Sequence, residues 1–262
     1  LPISTYGNFI KLCRLDLFSG KDQAAGGSFG LGKAVYWRFS RVQTVLFNSS
    51  LRADDAVEGK TRNRLFGVNA GVIHELGDQS FQGRGNFGVP DGEYVASAWI
   101  DDEQARSLRV ERTDTRPGTT ALLLGFYDPD EPAVGSSQGD YLIDAARKLR
   151  RGVEESFWPL LTRGRLTVRI KVVDDDDTIF DEVVDPSETY TELVRSLQKF
   201  DAGEIADDLE RPGAIVVRDI PIKVSARSDG VKDHATFTHI AKLIVTLSDD
   251  QKDSLENTVC LL

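Results

Sequence analysis

The chain has no methionine, 2 cysteines and 3 histidines in 262 residues. Cys13 and Cys260 stand near opposite ends. That usage excludes a disulfide scaffold and makes a reducing cytoplasm the expected compartment. His74, His234 and His239 have no neighbouring cysteine, which leaves too few ligands for a structural zinc site. No apolar run approaches the ~18 residues of a membrane-spanning helix, so no membrane partner is expected. There is no G-x-S-x-G elbow, and Cys13 has no motif around it. Positive charge is in deficit, with 32 Lys+Arg against 42 Asp+Glu and a net charge of −10. Bulk-surface binding of nucleic acid is therefore disfavoured, while a local basic groove stays open. The missing methionine, the start at Leu1-Pro2 and the apolar end Val259-Cys260-Leu261-Leu262 lead us to expect a piece of a longer protein.

What is present is ordinary globular material, 40% hydrophobic and 28% charged, long enough for one large domain or two small ones. Periodicity predicts a helix over 33–40 and strands over 42–49 and 65–75. Residues 77–92 carry five glycines and read as loop. Residues 94–100 fit a strand or a short helix, 101–109 a helix, and 119–126 an apolar strand. The segment 127–139, rich in acids, proline, glycine and serine, marks a boundary. It divides the chain into domains expected at 1–130 and 136–262. Beyond it, helices are expected over 140–158 and 189–200, and strands over 166–173, 214–224 and 241–247. The acidic run Asp174–Asp177 reads as a solvated turn, with a Ca²⁺ or Mg²⁺ site as the alternative. Arg147, Lys148, Arg150 and Arg151 make a local basic patch, either a solvated helix face or a contact for nucleic acid or a partner. Helices mixed with alternating strands predict α+β domains with one sheet face exposed or paired, not a buried parallel sheet.

Residues 26–34, Gly-Gly-Ser-Phe-Gly-Leu-Gly-Lys-Ala, carry the functional message. Glycine lets the backbone approach a ligand closely and turn successive N–H groups toward one anion. A following helix and Lys33 add positive charge. A polyphosphate is the natural guest. Gly27 to Lys33 fits the P-loop pattern G-x-x-x-x-G-K, but Ala34 replaces the Mg²⁺-binding hydroxyl and the preceding residues 19–25 are polar, not a buried strand. In that reading Asp128 or Asp174 would be the downstream Mg²⁺ aspartate.

Phe29-Gly30-Leu31-Gly32, followed by an aromatic-containing helix, Ser40 and a strand, resembles the third motif of the GHKL ATPases, the superfamily of gyrase B subunits, ninety-kilodalton heat-shock chaperones, histidine kinases and MutL proteins. There the loop closes a mobile ATP lid, which explains the polar prelude. Gly118-Thr119-Thr120 opening an apolar strand is similar to the fourth motif of that family. The resemblance implies a Bergerat-type mixed or antiparallel sheet with helices on one face, followed by a transducer-like α+β domain in a bacterial type of protein. It implies that Gly27, Ser28, Phe29, Gly30, Leu31, Gly32 and Lys33 meet the ATP phosphates, that Thr119, with Thr120 second, stands on the adenine side, and that Lys223 or Lys232 reaches the γ-phosphate. ATP and Mg²⁺ are the implied cofactors. A nucleotide-dependent homodimer and a nucleic-acid or protein client are the implied partners.

The two earlier motifs of the family do not occur in residues 1–262: the helix with a Glu for the attacking water and an Asn for Mg²⁺, and the Asp-x-Gly-x-Gly turn. Asp91-Gly92 and Asp229-Gly230 lack the second glycine and stand after the lid. Two function classes therefore remain: an ATPase whose general base lies elsewhere in the intact protein, and a regulatory or structural module that keeps the fold without turnover. A P-loop NTPase is the third.

Overall fold

The computed structural model describes residues 32, 34–52, 63–92, 94–100, 102–112, 116–130, 137–225 and 236–248. The chain forms two compact units, Leu1–Pro132 and Ala133–Leu262. Among the described residues the architecture is mixed α+β, with four helices and sheets paired antiparallel throughout.

The first unit is built on β1 (Thr44–Ser50). It pairs on one side with β2 (Asn63–Ala70) and on the other with β8 (Gly118–Leu123), and β2 pairs onward with β5 (Arg84–Phe87). Val45, Leu46 and Phe47 are consecutive apolar residues, so alternation sends them to opposite faces and both faces must be covered. Val45 and Phe47 join Phe66, Val68 and Ala98 in one core cluster. Helix α1 (Ala34–Arg38) covers it with Tyr36 and Trp37. The Trp37 indole N–H donates to the Val68 carbonyl at 3.1 Å. Leu46 joins Leu65, Val110 and Ala105 on the other face, and Ala105 belongs to helix α2 (Asp102–Ser107). Helices thus lie on both faces of this sheet, where helices on one face and the other face exposed or paired were expected. Gly67 allows this close packing, because a Cβ there would overlap Leu46 Cδ2 and come within 2.9 Å of Phe87 Cβ.

Several local expectations change. The helix expected over 33–40 is described as five residues, Ala34–Arg38. Buried Ser40 follows, its hydroxyl accepting from the Thr44 N–H at 3.0 Å and donating to the Leu124 carbonyl at 2.6 Å. Those bonds fix a turn where a second helical turn was expected. The strand expected over 65–75 breaks after Ala70 and resumes as β3 (His74–Leu76). Residues 77–92, expected as loop, hold β4 (Gln79–Phe81), β5 and β6 (Val89–Asp91). These are short pairs and an edge, and two of the glycines sit where the chain passes close to itself: a Cβ on Gly83 would overlap the Gly71 backbone, and one on Gly88 the Ser97 carbonyl. The ambiguous segment 94–100 contains strand β7 (Tyr94–Ser97).

The second unit begins with α3 (Gln138–Thr162), capped by the Ser137 hydroxyl, which accepts from the Asp140 N–H at 3.2 Å. Its apolar stripe meets the hairpin of β9 (Arg169–Asp174) and β10 (Asp177–Val183) through Ala146, Ile170 and Val184. Strand β10 was not expected from the sequence, and the acidic run Asp174–Asp177 is the turn of this hairpin, with Asp175 at φ 51°. Trp158 packs on Val194 and Leu197 of α4 (Thr191–Ala202). A second hairpin pairs β11 (Ile215–Ser225) with β12 (Thr236–Thr246), which starts five residues earlier than the expected 241. The ends of α3 and α4 are tied by a two-pronged ion pair from Arg163 to Asp201, at 2.7 and 2.8 Å. Hydrogen bonding to that guanidinium holds the Asp201 carboxyl below the usual carboxylate range.

Truncating Phe47→Ala should cost about 3–5 kcal/mol in urea unfolding of the first unit, because a fully buried ring is lost between packed layers. A loss under about 1 kcal/mol would place the core elsewhere. In the second unit, the lowered pKa of Asp201 means that the ion pair stabilises fully above the ordinary carboxylate range and is lost as pH falls through the depressed value. Asp201→Asn should flatten the acid limb of the stability–pH curve. An unchanged acid limb would contradict the pairing.

Candidate functional site

Alternation along β1 sorts the residues of interest. Phe47 and Ser49 are two apart and share a face, while Asn48 points to the other. Ser49 lies directly opposite Thr119 of β8 and Arg64 of β2, and Phe47 lies opposite Ala121 and Phe66. One face of the sheet therefore carries an apolar row, Ala121–Phe47–Phe66, followed by a polar row, Thr119–Ser49–Arg64. The Thr119 and Ser49 hydroxyl oxygens are 3.0 Å apart. Helix α1 stands on the same face, with Tyr36 edge-on to the Phe47 ring at 5.4 Å between centroids. The helix that closes the glycine run and the threonine of the Gly-Thr pair thus both lie over one face of one strand. Thr120 pairs with Asn48 and takes the opposite face, which separates the two threonines that the sequence leaves as first and second candidates.

The opposite face ends in an amide network. Asn48 is completely buried. Its amide donates to Asn63 Oδ1 at 3.1 Å and to the Val110 carbonyl at 2.9 Å. Asn63 donates onward to Asp102 at the start of α2. A Cβ on Gly118 would come within 2.8 Å of the Arg112 guanidinium, which lies against the start of β8.

Of the other sequence-predicted residues, Gly32 is exposed, and a Cβ built on it would meet nothing within 4 Å. Gly27, Ser28, Phe29, Gly30, Leu31 and Lys33 lie outside the described residues, as do Lys232, His234, Cys13 and Cys260. Lys223 is exposed on β11, opposite Thr238. Asp128 caps the Asp130 N–H at 3.0 Å in a turn. Among the described residues no group of three or more His, Cys, Asp or Glu side chains could hold a metal ion. In the basic patch, Arg147 pairs with Asp144 at 3.3 Å, and Arg150 pairs with Glu182 at 3.0 Å and with buried Glu154 at 3.5 Å. Hydrogen bonding to Glu182, then the charge of Glu154, raises the Arg150 pKa above its usual value. Arg147 and Arg150 are thereby committed to carboxylates within the unit. No helix of the described residues is long and apolar enough to cross a membrane.

Sequence reasoning missed Ser49, Asn48, Asn63 and Arg64. The available signal was the polar end Asn48-Ser49-Ser50 on an otherwise apolar strand, an arrangement that places hydrogen-bonding groups where the sheet emerges from its core. Comparison of the chain with protein-family models, with curated proteins and with solved structures finds no match.

Asn48→Ala should cost about 1–3 kcal/mol, because it strands the buried Val110 carbonyl and the Asn63 side chain. Thermal unfolding monitored by the near-ultraviolet signal of the first unit checks it. A neutral substitution would show the network to be dispensable.

Proposed function

We propose that residues 1–130 form the phosphate-side and adenine-side parts of a GHKL-type ATP-binding domain, and that residues 136–262 are its transducer-like partner domain. The observation that carries this reading is the shared strand face. The helix leading out of the glycine run rests on Phe47, and Thr119 sits opposite Ser49, two residues further along β1. A single ligand with a polyphosphate at one end and a base at the other requires both elements on one side of the sheet. The sheet pairing supports the same choice against a P-loop, which needs a parallel sheet, since every described pairing is antiparallel.

In this reading backbone N–H groups of Ser28, Phe29, Gly30, Leu31 and Gly32 hold the phosphates and Lys33 adds charge. The hydroxyl of Thr119 serves the base. Because α1 is described as five residues, its dipole contributes little, and the backbone and Lys33 carry the anion. Mg²⁺ would offset phosphate charge. In the intact protein, ATP hydrolysis would drive lid closure and dimerisation in the cytoplasm, acting on a nucleic-acid or protein client.

Isothermal titration of the intact protein with a non-hydrolysable ATP analogue and Mg²⁺ tests the reading. Saturable binding below millimolar ligand is expected, and no binding at millimolar ligand overturns it. Phosphate release from ATP by the same protein then separates an ATPase from a nucleotide-binding module without turnover.

A further inference from the structure

We propose that β12 is a self-association edge, at which two copies of the chain pair antiparallel about a two-fold axis at Ala241 and join their hairpins into one sheet. This contact needs no nucleotide and goes beyond the reading above. Among the described residues the β11–β12 sheet has two strands, so each strand keeps an outer edge. A two-stranded ribbon is marginal in water without a further strand or a cover. Ile220 and Ile222 of β11 share one face with Leu243 and Val245 of β12 by register, and all four are exposed.

The two edges are not alike. Proline has no N–H, so the continuous register of the hairpin sets the Pro221 nitrogen on the outer side of β11. The same parity turns Ile215 outward, and its carbonyl accepts from the Ala206 N–H at 2.9 Å. The β11 edge is thus occupied at its start and interrupted at its middle. On β12 the same parity gives the outward N–H and C=O groups to Thr238, Ile240, Lys242 and Ile244. Strand β12 has neither proline nor glycine, and no described strand pairs with its outer edge. A long open edge of this kind is a template for another strand.

Charge selects the second copy as that strand and sets its register. Lys242 is the one Lys, Arg, Asp or Glu of β12, and it already donates to Asp219 at 2.5 Å. The incoming strand must therefore bring no cation opposite Lys242, because like charges directly opposed across a ladder repel. Strand β12 itself meets this condition. Outward groups must meet outward groups, which restricts the possible registers. The register that opposes the two Lys242 side chains is disfavoured. The one centred on Ala241 sets Lys242 against Ile240 of the second copy and Thr238 against Ile244, and it pairs the whole of Thr236–Thr246.

The test uses the intact protein without nucleotide. Sedimentation equilibrium should show a monomer–dimer equilibrium. In a Cys13→Ser/Cys260→Ser background, Ala241→Cys should cross-link to a dimer on mild oxidation, because residues facing each other at the axis lie about 4.5 Å apart between Cα atoms, within disulfide reach. Ile220→Cys, on the other strand of the ribbon, should not cross-link. Ile240→Lys opposes two cations and Ile240→Glu opposes unlike charges, while both remove the same half-exposed side chain. The glutamate variant should therefore dimerise about tenfold more tightly than the lysine variant.

A monomer throughout the micromolar range overturns the proposal, and protection of the β12 amides in that monomer would show another segment of the same chain on the edge. A dimer in which Ala241→Cys fails to cross-link, or in which Ile240→Lys and Ile240→Glu associate alike, also overturns it. A dimer that forms only with nucleotide overturns it and leaves the nucleotide reading standing. A nucleotide-free dimer with these properties upholds it even where the ATP analogue does not bind. If both variants at position 240 lose the folded near-ultraviolet signal, Ala241→Cys against Ile220→Cys decides alone.

Discussion

Burial of β1 from both sides is the constraint on which the first unit depends. Val45, Leu46 and Phe47 are nearly inaccessible to water, and they alternate between two faces of a sheet that has four strands among the described residues. Each face must therefore recruit its own cover. Tyr36 and Trp37 serve one face, and Ala105 and Val110 the other. Full burial of side chains of this size contributes about 1.5–3 kcal/mol each, which outweighs the short helices' own weak tendency to form. Ser40 ends α1 with side-chain bonds to Thr44 and Leu124.

The same strand organises the candidate site. Where its apolar residues end, Asn48 and Ser49 continue the alternation with polar groups. One enters a buried amide network, and the other faces Thr119. The core thus terminates in hydroxyls and a guanidinium on the face that α1 covers. The second unit has a different organisation. Its long helix is tied to α4 by Arg163–Asp201 and to β10 by Arg150–Glu182, and the second pair takes up one charge of the patch that the sequence alone presents as basic.

Much of the fold was legible because apolar periodicity is a local property. The long helix and the alternating strand through Ile170 follow from it, and the acidic turn at Asp175 follows from its run of charge. The failures are tertiary. Arg84–Phe87 reads as glycine-rich loop, and becomes a strand because β2 offers it an edge. Strand β10 carries the polar residues Asp177, Thr178, Asp181 and Glu182, and is held by its partner and by the α3 stripe, not by propensity. In the site, Gly118-Thr119 is readable as a motif. The meeting of Thr119 with Ser49, 70 residues away, depends on register, which no local pattern contains. Of the glycine run, Gly32 and Ala34 are among the described residues, so the part of the other seven in the site is carried by the sequence.

The central claim is that the glycine run and the Ser49–Thr119 row serve one ligand. Hydrogen–deuterium exchange of the intact protein, with and without a non-hydrolysable ATP analogue, tests it most directly. Nucleotide should slow exchange together in residues 26–34 and in the paired ends of β1 and β8 around 48–50 and 118–120, with the same ligand dependence. Slowing confined to one of these segments, or to neither, would contradict it.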